Sequence, residues 1–168
     1  MRLPKRRACE DYTFNVGSQQ LAKLGRILAL DVGSKTIGLA VSDPLGITAQ
    51  GLETIRRKNK RTDLAALGVV IRSYEVEELV VGLPLRMSGQ EGTQAEKMRE
   101  FVAVLDKQFG LPVHLVDERL TSVEANRVLR ESEMSISKRA GAVDRLAAVL
   151  ILQNYLELRS RGESQPHD

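Results

Sequence analysis

The stretch RILALDVGSKTIGLAVSD, residues 26–43, decides the fold of this 168-residue chain. An apolar run ends on Asp31, turns at Gly33 and resumes as a second apolar run, a pattern that predicts a β-hairpin. A carboxylate at the tip of a buried strand is costly unless a backbone turn, a basic side chain or a metal ion meets it there. Asp31 is therefore the first candidate for a functional residue.

Beyond the hairpin, the pattern alternates between strands and helices. Residues 49–57, AQGLETIRR, predict a third antiparallel strand. The later predicted elements are a helix within 61–76, a strand over 78–84, a helix with Met98, Phe101, Val102 and Leu105 on its apolar face, a strand over 111–118 and a helix from about Val143 to Leu158, with polar loops over 85–94 and 131–142. Three consecutive strands followed by alternating helices and strands predict an α/β fold, with a five-stranded mixed sheet flanked by helices.

Composition restricts the kinds of metal site that the chain can build. Its one cysteine, Cys9, excludes an internal disulfide and a cysteine-rich zinc site. Two histidines are too few for a histidine-dominated centre, so a metal ion would have to be held by oxygen. The net charge of +3 permits a polyanionic partner without requiring one.

The chain is expected to form one domain. We expect a flexible N-terminal arm over residues 1–25, a folded domain over 26–159 and a polar tail over 160–168. No apolar stretch approaches the length of a membrane span, and the basic N-terminal segment lacks the apolar core of a signal peptide. A cytoplasmic location is the resulting expectation.

Three acidic residues occupy predicted element ends. Asp31 closes the first strand, Glu118 closes the last strand, and Asp144 opens the final helix. Because the carboxyl ends of parallel strands lie together, these acids are expected at one rim of the sheet. Three carboxylates in one space repel one another unless a divalent cation lies between them, and Mg²⁺ or Mn²⁺ prefers such oxygen ligands.

Each acid also has an ordinary structural interpretation. Asp144 is compatible with a helix-start acid that the helix dipole favours, and Asp31 with a cap on the turn at Gly33. The adjacent pair Asp117 and Glu118 is compatible with a salt bridge to the neighbouring arginine. The joint placement of three acids at three element ends favours the metal site.

Motifs in four parts of the chain resemble the YqgF family, also called RuvX. They are LALDVGSKTIGLAVSD, LVVGLPLRMSGQEGTQA, LVDERLTSVEA and KRAGAVDRLAAVLILQNYL, and the resemblance runs from about residue 26 to residue 158. It implies an RNase H-like fold and a divalent-metal nuclease that processes the precursor of 16S ribosomal RNA. It also implies that Asp31, Glu118 and Asp144 are the catalytic acids and metal ligands.

The resemblance implies a mechanism in which Asp31 bridges two Mg²⁺ ions (or Mn²⁺) while Glu118 and Asp144 complete their ligand sets. Strand alternation sends Asp117 and Glu118 to opposite faces, so Asp117 is expected to support the ligands indirectly or to cap the strand. Basic residues beside the motifs are candidates for phosphate contacts: Lys35, Arg86, Arg119, Lys138, Arg139 and Arg145.

Other functions were weighed against this one. A Holliday junction resolvase acting on four-way DNA is the first alternative, although the strand ELVVGLP lacks an acid that RuvC resolvases carry there. DVGSKTIG is also similar to the phosphate-binding hairpin of sugar kinases and actin-like ATPases, which need a second lobe. A non-catalytic nucleic-acid-binding module linked to transcription is the third alternative, and the three acids argue against it.

The aromatic content indicates how nucleic acid would be recognised. With three Tyr, three Phe and no Trp, stacking surfaces are few, so recognition of backbone shape in structured RNA or branched DNA is expected. A monomer or weak homodimer is expected.

Overall fold

A computed structural model describes residues 25–83, 92–117 and 136–162 of the chain. Its strands are β1 (Arg26–Val32), β2 (Thr36–Ser42), β3 (Ala49–Gly51), β4 (Ile55–Arg56), β5 (Val76–Leu83) and β6 (Val113–Asp117). Its helices are α1 (Lys60–Ser73), α2 (Thr93–Phe109) and α3 (Ile136–Ser160). None of the helices in these ranges is long and apolar enough to cross a membrane.

The strands form one mixed sheet in the order β3-β2-β1-β5-β6, with β4 also paired to β2. β1 is antiparallel to β2 and parallel to β5, which is parallel to β6. The predicted mixed sheet with flanking helices is confirmed. The predicted third strand is split into β3 and β4, because the two pieces pair with β2 in registers that differ by one residue: Gly51 lies opposite Ala40 and Ile55 opposite Ile37.

Strand alternation divides the core between the two faces of the sheet. Leu28 and Leu30 of β1 pack in the cluster that holds α1 and α2 side chains. Ile27 and Ala29 pack in a second cluster with Ile151 and other α3 residues. By the same alternation, Asp31 belongs to the α3 face.

Helix α3 begins earlier than the sequence predicted. The expected loop over 131–142 is wrong for residues 136–142, which are helical, and Asp144 therefore lies in the third turn of α3 and does not open it. The stretch contains Gly141 but is otherwise rich in lysine, arginine and alanine, which favour helix. Its position removes the interpretation of Asp144 as a helix-start acid.

Small residues let α3 lie close to the sheet. Ala147 and Ala148 are buried on the helix side, where their small side chains allow a close approach. On the strand side, a Cβ added at Gly38 would lie 2.6 Å from the carbonyl carbon of Asp144 and would overlap its oxygen. The backbone of α3 thus rests directly on β2, which a larger residue at Gly38 would prevent.

The C-terminal half of α3 is fastened to β5 and β6 through Glu78. The Tyr155 hydroxyl donates to Glu78 Oε1, Arg159 pairs with Oε2 at 2.9 Å, and His114 Nε2 lies 3.2 Å from Oε1. Burial, followed by the hydrogen bond to Glu78, raises the pKa of Tyr155 well above its ordinary value, so the hydroxyl stays protonated.

Candidate active site

Asp31 lies at the edge of the sheet where α3 crosses β2. It is half-buried near the end of β1 and stands opposite Gly38 in the antiparallel register. Residues directly opposite in such a pair have Cβ positions about 4.5–5.5 Å apart on the same face. The space above Gly38 is filled by the backbone of Asp144, whose Cα would lie 3.2 Å from a Cβ there. The structure therefore brings Asp31 and Asp144 together.

Thr36 orients the side chain of Asp144. It begins β2, on the same face as Gly38, and its hydroxyl donates a hydrogen bond to Asp144 Oδ2. The Thr36 carbonyl also accepts the N–H of Gly33 at 2.9 Å, which closes the hairpin turn. Sequence reasoning did not select Thr36. The signal that could have found it is the alternation that places Thr36 and Gly38 on one face of β2.

The alternation predicted for the last strand is observed in β6. Val113 and Leu115 pack with the α1 and α2 cluster, whereas Val116 packs with the α3 cluster. Asp117 thus falls on the face opposite Asp31. Glu118 lies outside the described residues, and its role stays a prediction.

The side chains of two predicted phosphate-binding residues, Lys35 and Arg145, lie within the described structure. Lys35 is exposed in the hairpin turn. Arg145 is exposed beside Asp144, and its aliphatic stem lies over β3, where a Cβ at Gly51 would be 2.6 Å from Arg145 Cγ. Two of the remaining candidates, Arg86 and Arg119, and the side chains of the other two, Lys138 and Arg139, lie outside the described residues.

Arg57 is a further residue that sequence reasoning missed. The guanidinium of Arg57 donates to the Gly33 carbonyl at 2.7 Å, and its backbone N–H donates to the Lys35 carbonyl at 2.9 Å. Arg57 also pairs with buried Asp63 at 3.4 Å. These contacts hold the turn after Asp31 in place from the side of α1.

The donor atoms at this edge suit a hard divalent cation. Asp31 and Asp144 supply carboxylate oxygens, which Mg²⁺ and Mn²⁺ prefer. Within the ranges that the structure describes, no group of three or more His, Cys, Asp or Glu residues converges as a metal site. The third predicted ligand, Glu118, lies outside those ranges.

Sequence comparison places close relatives over the same part of the chain. The model of the RuvX family, described as Holliday junction resolvase, matches residues 25–158. A protein of Koribacter versatilis is 69% identical over 142 residues, which cover 84% of this chain and 93% of the relative. A protein of Moorella thermoacetica is 58% identical over 132 residues, covering 79% and 94%. Both relatives carry the name "Putative pre-16S rRNA nuclease".

Solved structures share the fold at low sequence identity. The RuvC of T. thermophilus in complex with a Holliday junction substrate is 16% identical, with a TM-score of 0.52 over 85% of this chain and 99% of that one. The fowlpox virus resolvase in complex with Holliday junction DNA is 14% identical, with a TM-score of 0.50 over 79% and 97%. These similarities confirm the predicted RNase H-like fold.

Proposed function

Because the chain belongs to the RuvX family, we propose that it is a metal-dependent nuclease that processes the precursor of 16S ribosomal RNA. The observation that carries the proposal is the meeting of Asp31 and Asp144 across Gly38 at one edge of the sheet. Both relatives described above carry a name that states this activity. The reaction is hydrolysis of a phosphodiester bond within nucleic acid.

Each residue of the site has a distinct part in this proposal. Asp31, Asp144 and Glu118 hold the divalent cations, and Thr36 keeps the Asp144 carboxylate turned toward them. Mg²⁺ or Mn²⁺ ions held by these three acids would supply the chemistry of water activation and of charge stabilisation on the leaving oxygen. Lys35 and Arg145, both exposed, contact phosphates of the substrate in this proposal.

The proposal also covers the organisation of the protein. The nuclease domain spans residues 26–159, preceded by an arm over 1–25 and followed by a polar tail over 160–168. The protein acts in the cytoplasm as a monomer or weak homodimer.

The proposal is tested first at Asp31. We expect Asp31→Asn to abolish Mg²⁺-dependent cleavage of a precursor 16S RNA fragment, because a metal ligand is lost. The unfolding midpoint should stay unchanged or rise in the metal-free protein, because one charge is removed from a repelling cluster. Cleavage assays and thermal unfolding measure both effects.

The control for this variant is Asp106→Asn, which changes an exposed aspartate on α2 in the same way. It should leave cleavage intact. Retained cleavage with a marked loss of stability in Asp31→Asn would show that Asp31 is structural. Four-way DNA is assayed beside the RNA, and preferential cutting of the DNA would favour junction resolution over RNA processing.

A cellular measurement tests the biological substrate. Cells depleted of the protein should accumulate 16S RNA with unprocessed ends, whereas cells that carry the Asp106→Asn variant should have mature ends. Normal 16S ends after depletion would contradict the assignment to RNA processing.

A further inference from the structure

A cleft lies on the face of the sheet opposite Asp144. Its volume is about 570 Å³, and its walls are the β1–β2 turn, the first turns of α1 and the length of α2 from Gln94 to Val104. This volume is within the range of about 300–1,000 Å³ typical of small-ligand pockets. Val32, which lines the cleft, directly follows Asp31, so the cleft and the candidate active site share one turn.

The lining of the cleft combines an apolar floor with polar groups around it. Met98, Phe101 and Val104 of α2 supply the apolar part. The ammonium groups of Lys60 and Lys97, both exposed, come from α1 and α2. An aromatic side chain and two lysines that line one cleft suit a nucleotide, whose base stacks on the ring while its phosphate meets the cations.

The charges that line the cleft favour an anion. Arg57 and Asp63 pair with each other, and Asp63, which is 3% exposed, also accepts the N–H of Lys58 at 3.0 Å. Arg57 and Asp63 are therefore already paired within the protein, and the net charge of the cleft is set by the other lining residues. Of the other charged lining residues, Lys60 and Lys97 outweigh the single carboxylate of Glu100.

We propose that this cleft holds one unpaired nucleotide of the substrate, next to the phosphodiester that is cut. The inference rests on the proposed nuclease function, because it takes the cut site to be at Asp31. Ser34, which lines the cleft, is three positions after Asp31, a span of at most about 11 Å. A strand crossing the turn over exposed Lys35 can thus place a neighbouring nucleotide in the cleft.

This site gives the nuclease a preference that backbone contacts alone do not supply. A base that is paired in a helix cannot enter the cleft, because its face is stacked and its edge is occupied by its partner. The cleft therefore selects substrates with an unpaired nucleotide beside the cut. The expectation from aromatic content, recognition of backbone shape, is extended by one stacking position at Phe101.

The test measures binding in a metal-free buffer, where metal-dependent cleavage does not occur. Fluorescence anisotropy compares a labelled single-stranded RNA with the same strand in a duplex. Lys60→Ala combined with Lys97→Ala should weaken single-strand binding about tenfold at moderate salt and make its salt dependence shallower. Duplex binding should change little. The control pair Lys107→Ala with Arg161→Ala removes two exposed cations that do not line the cleft.

A second measurement tests the base itself. RNAs with one abasic position each are scanned along the strand, and the full-length protein should lose affinity most at a single position. In Phe101→Leu that loss should shrink to less than half, because the stacking surface is gone. Unfolding midpoints confirm that each variant is folded.

Three results separate the possible failures. Equal losses in the cleft pair and the control pair, or an abasic effect unchanged by Phe101→Leu, would overturn the cleft assignment. If the wild-type protein still cleaves RNA in an Asp31-dependent way, the nuclease proposal survives that result. If the wild-type protein shows the abasic coupling but cleaves no substrate with Mg²⁺, the nucleotide site stands and the nuclease proposal fails.

Discussion

The carboxylate of Asp144 has one of its two oxygens engaged by the hydroxyl of Thr36. Hydrogen bonds to charged groups contribute about 1.5–3 kcal/mol, enough to select one side-chain rotamer over the others. The contact joins residues that are 108 positions apart in the chain. We expect the other oxygen of Asp144, Oδ1, to be the one that meets a cation.

Thr36→Val tests this contact because it removes the hydroxyl and keeps the shape. We expect the affinity for Mg²⁺ to fall about tenfold to a hundredfold, as for other groups that orient a metal ligand. Thr36→Ser keeps the hydroxyl and should retain most of the affinity. Titration calorimetry with Mg²⁺ measures the binding without reference to cleavage. A loss in Thr36→Ser with little loss in Thr36→Val would mean that the methyl group matters and the hydroxyl does not.

Substitutions of Asp117, the last residue of β6, and of Glu118, the next residue, should differ sharply in how far they lower the cleavage rate. Glu118→Gln should lower the cleavage rate at saturating Mg²⁺ by several orders of magnitude, because a ligand is lost. Asp117 lies on the other face of the sheet, so Asp117→Asn should cost only about tenfold to a hundredfold. Single-turnover rates compare the two variants. The reverse order would show that Glu118 is not the ligand.

At the scale of elements, local patterns predicted most of the sheet but not its contacts with α3. The alternation of residues in β6 assigned side chains to the correct faces, as Val116 shows. The break in the third strand was missed because it is a one-residue shift in pairing with β2, which the pattern within the strand does not contain. The start of α3 was missed because Gly141 is a residue type that disfavours a helix interior.

The candidate site follows the same division. The positions of the acids at strand ends were visible in the sequence, whereas the pairing of Thr36 with Asp144 is a long-range contact that no local pattern contains. Gly38 carried a readable signal, since an isolated glycine within a strand indicates close backbone approach. The roles of the acids as metal ligands stay predictions.

Gly38→Ala tests the close approach of α3. The added methyl would overlap backbone atoms of Asp144, so the helix must shift, and we expect a loss of about 1–3 kcal/mol in the free energy of unfolding. Gly51→Ala is the matched control, because its methyl meets the flexible stem of Arg145 and should cost less. Urea denaturation measures both. Equal losses in the free energy of unfolding would mean that α3 shifts away from a methyl at Gly38 without difficulty.

At the scale of the whole molecule, the hairpin turn separates two surfaces with different tasks. Asp31 and Asp144 lie on the α3 side, and the apolar cleft with its lysines lies on the side of α1 and α2. A nucleic-acid strand crossing this edge would contact both. Binding and cleavage should therefore respond separately to changes of the metal ion.

Replacing Mg²⁺ with Ca²⁺ tests this separation. Ca²⁺ neutralises carboxylates but accepts looser coordination than the octahedral arrangement that Mg²⁺ demands. We expect RNA to bind the Ca²⁺-loaded protein with an affinity close to that in Mg²⁺, and to be cut very slowly. Filter binding and single-turnover cleavage give the two values. Full cleavage with Ca²⁺, or with a chelator present, would contradict the two-metal mechanism.

Helix α3 makes polar contacts with the sheet at two places along its length. Asp144 contacts β2 at the first, and Tyr155 and Arg159 contact Glu78 of β5 at the second. Tyr155 lies eleven positions after Asp144 in the helix, an axial distance of about 16 Å. A small rotation of α3 about its contacts with Glu78 would therefore displace Asp144. The position of the Asp144 carboxylate therefore depends on strand β5. Within its described length, β5 contributes no carboxylate at the Asp31 edge.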